Sequence, residues 1–98
     1  MKKGTFKIKC YGDKMESVTG HTEAYLGLHK TELCNYNITH IPTGMKFFDF
    51  ACQKHARRFI KLVLATTFPF PMDGPDVSKI SGFNGEILLN LKHQAEEI

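Results

Sequence analysis

Three cysteines and five histidines are the residues with the most chemistry to offer in this chain of 98. A nucleophilic Cys–His pair needs a thiol within reach of an imidazole, and known versions carry a local signature around the thiol. Cys10, Cys34 and Cys52 carry none, are widely spaced and include no CxxC. Each falls on a face read below as apolar, so all three are expected to be buried, inert thiols. His21, His29 and His40 stand too far apart for a helical ligand pair, and HExxH is absent. His29 and His40 can meet only across neighbouring strands, which reads as a surface pair. Asp73 and Asp76 flank a Gly-Pro pair, where carboxylates usually cap turns. No GxGxxG or Walker pattern offers a phosphate cradle. Catalytic, metal-binding and cofactor-binding residues are therefore all expected to be lacking, and the chain is read as a non-enzyme.

Positive charge is the remaining chemistry. The net charge is only +3, yet it is unevenly placed. Lys2, Lys3, Lys7, Lys9 and Lys14 face only Asp13 in the first segment, and Lys46, Lys54, Arg57, Arg58 and Lys61 face only Asp49 in a second. Residues 15–45 and 70–98 are acidic on balance. Such a layout suits an anionic partner, either an acidic protein surface or a phosphate backbone, as well as a merely solvated face.

The element that must position the second cluster is a helix. Projected at about 100° per residue, Cys52, Ala56, Phe59, Ile60, Val63, Leu64 and Thr67 share one arc, while Lys54, Arg58 and Lys61 lie opposite, with Arg57 at the margin. This predicts a helix over 49–66 with Asp49 as its N-cap, a core-facing stripe and a basic back. Phe68-Pro69 ends it, because a residue before proline is pushed out of the helical region. Upstream, Tyr36, Ile38 and His40 alternate with polar residues as a strand does. Pro42 and Gly44 then mark a turn, and 45–48 return as a second strand.

Alternation also predicts strands over 5–11, with Phe6, Ile8 and Cys10 on one face and Tyr11 on the other, and over 23–30, with Leu26 and Leu28 together. Gly27 marks a bulge or a weak point in the latter. Residues 12–20 read as a turn or loop. Residues 68–76 hold three prolines and read as an extended segment bearing Phe68, Phe70 and Met72. Those side chains serve either as a lid on the core or as an exposed apolar anchor for a partner. After Asn84-Gly85, the last segment reads as a helix with Ile87, Leu88, Leu91, Ala95 and Ile98 on one face, or as a strand with Ile87, Leu89 and Leu91 aligned; propensity favours the helix.

The expectation is one α+β domain over 1–98: an antiparallel sheet of three or four strands, one amphipathic helix on one face, and a C-terminal helix or strand. No apolar run approaches the roughly 20 residues of a membrane span, and the basic start lacks an apolar h-region. A cytoplasmic protein is expected.

Residues 39–64, with Thr39-His40-Ile41-Pro42-Thr43-Gly44 between two strands and a helix after them, resemble small proteins encoded by phages and mobile elements. That resemblance implies a context in which short soluble proteins inhibit a host enzyme or defence complex. Lys54-His55-Ala56-Arg57 also resembles the basic helix start of double-stranded-RNA-binding domains and of the arm-binding domains of phage integrases, though the former need an N-terminal helix that this chain lacks. The functional expectation is a binding protein that occludes a protein target through Lys54, Arg57, Arg58, Lys61, Phe68, Phe70 and Met72, joined by Lys7 and Lys9. The alternative is a small nucleic-acid-binding or regulatory protein using the basic helix face.

Overall fold

The computed structural model describes residues 1–10, 14–74 and 76–97. Five strands, β1 (Lys2–Lys9), β2 (Met15–Glu23), β3 (Leu26–Lys30), β4 (Tyr36–His40) and β5 (Met45–Phe50), form one sheet in the order β1-β2-β3-β4-β5. All neighbours are antiparallel. Two helices follow, α1 (Gln53–Leu64) and α2 (Val77–Glu96). The fold is α+β as expected, with one strand more than the three or four anticipated. The places expected for Tyr11 and Ile98 lie outside the described residues.

The additional strand is β2, in a stretch expected to be loop. It shows no apolar alternation because neither face is fully covered. Its order comes from the backbone ladder to β1, which runs from Lys2↔Thr22 to Lys9↔Met15. Only Glu23, Thr22 and His21 pair with β3. Beyond them β2 passes so close to β3 that a Cβ on Gly20 would lie 2.1 Å from the Leu28 carbonyl oxygen. The β1–β2 ribbon thus leans over the sheet face turned away from the helices. Its far end is tied where the Lys9 amide donates to the Gly44 carbonyl at 2.8 Å. Gly44 sits at φ +74 in the Pro42–Gly44 turn, a conformation glycine adopts at little cost.

Gly27 is where Phe6 lands, not a bulge. A Cβ there would meet the Phe6 ring at 2.7 Å, and Phe6 meets the His29 imidazole edge-on at 5.9 Å between centroids. The sheet's bulge lies elsewhere, opposite Ile38 and Thr39. It lets Phe47 and Phe48 both pack on the helix-side core.

That core joins Leu26, Leu28, Ile38 and Phe50 of the sheet to Ala56, Phe59, Ile60 and Val63 of α1 and Ile80, Leu88, Leu91 and Ala95 of α2. The α1 stripe is as expected from its spacing. Its limits are not. Asp49 lies inside β5, opposite Asn37, because pairing continues to Tyr36↔Phe50 and buries Phe50. The helix therefore begins later, with Cys52 as an N-cap that makes no side-chain capping bond, and it ends at Leu64. Thr67 is exposed.

The C-terminal segment is a helix, longer than expected. Asp76 caps it by accepting a hydrogen bond from the Lys79 amide at 3.1 Å. Asn84 and Gly85, after which the helix was expected to begin, lie in its interior. Leu89, the residue that did not fit the helical face, is 44% exposed.

The cysteines depart from expectation. Cys34 is exposed in the β3–β4 turn at φ 65, and Cys10 and Cys52 are half-buried. All three lie at or beyond the ends of elements, where alternation no longer dictates burial. The Cys10 thiol is raised above its ordinary pKa by desolvation, then by its hydrogen bond and proximity to Glu16.

His29 is buried, and its Nδ1 has no partner among the described residues. Burial holds its pKa below the usual imidazole range, with the Glu16 charge partly opposing. The unfolded chain takes up this proton near the ordinary value of about 6.5, whereas the folded chain resists until lower pH. Stability is therefore fully present above that value and is expected to fall as the pH drops through it, by at most about 1.4 kcal/mol per pH unit. Denaturant titrations at several pH values should show this slope, and His29→Leu should flatten it. An unchanged slope would place the responsible proton elsewhere.

Candidate functional site

Two surfaces gather the residues that the sequence singled out. The first is the outer face of α1. Its opposite stripe, Ala56, Phe59, Ile60 and Val63, is buried against the sheet and α2, so the cations must look outward. Lys54 and Lys61 are exposed, and Arg57 and Arg58 are half-buried. Among the described residues none of the four forms an ion pair; those that exist are Lys46–Asp49, Lys79–Asp76 and Lys92–Glu96. No acidic residue stands in the first turn of α1. Lys61 in the last turn is favoured by the helix dipole, and Lys54 in the first is not. Lys7 and Lys9 are exposed on β1, on a different element.

The second surface is the proline-bearing strap between the helices, residues 68–74. Pro69 and Pro71 lack amide hydrogens, so the strap cannot join the sheet. Two buried side chains hold it instead. Asn84, fully buried on α2, accepts from the Phe70 amide at 3.2 Å and donates to the Phe70 carbonyl at 2.8 Å and to Met72 Sδ at 3.1 Å. His40, fully buried at the end of β4, donates from Nε2 to the Met72 carbonyl. A carbonyl only accepts, so Nε2 carries a proton; Nδ1 lies 2.9 Å from the Thr43 hydroxyl oxygen. The His40 ring is stacked on Phe47 at 5.2 Å.

These clamps alternate the strap's side chains. Pro69 and Pro71 point out, Phe68 and Phe70 are half-buried, and Met72 is buried at 5% exposure within the core. Met72 is therefore closed to a partner, contrary to the expectation for it, because its thioether fills the space beside Asn84 and the α1–α2 core. For Phe68 and Phe70 the structure shows the lid on the core and, beside it, a partly open surface. They pack on the core, and they line an open cleft of about 670 Å³. Tyr25, Ile41 and Pro42 form its other wall, and Asp73 stands at its edge. The Tyr25 hydroxyl is raised above its ordinary pKa by burial first and by the Asp73 charge second.

The surface lysines and the phenylalanines were legible from composition and spacing. His40, Asn84, Tyr25 and Asp73 were not. The one available signal was a histidine and an asparagine set among apolar residues. Among the described residues no three His, Cys, Asp or Glu side chains come together as a metal-holding group. No helix there is long and apolar enough to cross a membrane. No family model, curated protein or solved structure matches the chain.

Proposed function

We propose that this chain is a non-enzymatic binding protein that acts by occupying a partner's surface, as a phage-type inhibitor of a host defence enzyme would. The observation that supports this most is the outer face of α1, where Lys54, Arg57, Arg58 and Lys61 stand together with no ion-pair partner among the described residues. Charges on a solvated face add little to stability. Their value lies in steering and docking an anionic surface. The partner in this reading is a protein with an acidic patch. The same row also suits a phosphate backbone, which makes a nucleic-acid-binding role the second reading.

The test is the triple reversal Lys54→Glu, Arg58→Glu and Lys61→Glu. Stability should stay within about 1 kcal/mol of wild type, since the dipole cost at Lys61 is offset by the gain at Lys54. A host protein captured from lysate by wild type should be lost by the variant, through slower association most evident at low salt. Equal capture by both would reduce the row to a solvated face. Retention on immobilised DNA that falls steeply with salt, and is abolished by the reversal, would favour the second reading.

A further inference from the structure

We propose that the cleft between the strap and the β-turns is a second docking site, and that it takes an extended protein segment carrying an apolar side chain beside a lysine or arginine. The lining is apolar and aromatic, from Tyr25, Pro42, Phe68, Phe70 and Pro71. Its volume of about 670 Å³ is widely open to solvent, which suits an extended segment lying along it better than an enclosed small molecule. The charge at its edge has one sign. Asp73 is exposed there and forms no ion pair among the described residues, and no cation is among the lining residues. Thr66, two residues past the end of α1, lines the cleft as well, so the negative end of the helix dipole lies near it. Lys79 stands 5.8 Å from the Phe70 ring centroid, within 4.0 Å of the Asp76 carboxylate. An apolar side chain fills the aromatic floor, and a neighbouring cation meets Asp73 and the helix end. The walls are held in place beforehand. Asn84 and His40 fix one and prolines stiffen both, so little ordering cost falls on binding.

The site does not depend on the α1 row, and the experiment keeps the two apart. The full chain, labelled with ¹⁵N, is titrated with acetyl-Gly-Leu-Leu-Arg-Gly-amide, with the same peptide bearing Glu for Arg, and with one bearing Gly-Gly for Leu-Leu. The Leu-Leu-Arg peptide should shift the amides of Tyr25, Thr66, Phe70 and Asp73. It should bind more tightly than the Glu peptide, by up to about fivefold for one partly exposed ion pair. Asp73→Asn should erase that preference while leaving the dependence on the leucines. The triple reversal on α1 should leave both intact. The proposal is overturned if the Arg and Glu peptides bind wild type equally, if the Gly-Gly peptide binds as well as the Leu-Leu one, or if no peptide moves the cleft amides. Shifts of those amides with protein concentration alone would assign the cleft to a second copy of the chain instead, and would overturn it too.

Discussion

Phe59→Ala is expected to leave the domain barely folded. The ring is fully buried and sits where α1 crosses the bulged strand. It meets Phe48 edge-on and Phe50 at a tilt, each at 5.5 Å between centroids. Truncating a buried phenylalanine costs about 3–5 kcal/mol, from lost transfer energy and the cavity left behind. Small domains hold about 5–15 kcal/mol in total. A loss of this size should lower the melting temperature by about 12 °C or more. Thermal unfolding followed by circular dichroism measures it. A shift of only a degree or two would mean that the β5–α1 contact relaxes to fill the space.

Asn84→Ala should have the next largest effect, and for a different reason. The substitution favours the helix by propensity, so a helix-only view anticipates a gain. The structure anticipates a loss, because the Phe70 amide and carbonyl lose their partner while neighbouring prolines can offer no replacement donor. Leaving such groups unpaired costs about 1–3 kcal/mol each, so that even after a propensity gain of about 0.7 kcal/mol the net loss is about 1–5 kcal/mol if both stay dry. The Phe70–Phe83 ring stack, at 6.0 Å, should loosen with the strap, and cross-ring nuclear Overhauser effects would report it. Gly85→Ala on the same helix, where an added Cβ meets nothing within 4 Å, is the control and should stabilise by about 1 kcal/mol. If Asn84→Ala behaves like that control, the strap is held by packing alone.

The contrast between α1 and α2 shows what the sequence could disclose. In α1 the apolar residues recur with the helical period and the cations occupy the remaining face, so local pattern and tertiary packing agree. In α2 the first half holds Gly82, Asn84 and Gly85, each a poor helix former. It is helical because Asp76 caps it and because the Asn84 amide is used by a segment 14 residues away. A long-range bond of that kind leaves no periodic trace. The strand β2 escaped notice for a related reason, since it is ordered by backbone pairing and not by burial. At β5 the propensity of Asp49 to cap a helix lost to the burial of Phe50. The two proposed docking surfaces divide in the same way. The cationic row follows from spacing on one helix, whereas the cleft needs β2–β3, β4–β5 and the strap brought together.

The meander order bears on how the chain reaches this structure. Every strand pairs with its neighbour in sequence, so the ladders close short loops and little entropy is spent before contacts form, a topology associated with fast folding among β-rich domains. The sheet can thus assemble hairpin by hairpin on a chain still being synthesised. Its helix-side face, with Leu26, Leu28, Ile38 and Phe50, then waits uncovered until α1 and α2 emerge. In that interval an apolar sheet stands open to other chains, and a slow or truncated C-terminal half would convert a quick folder into an aggregating one.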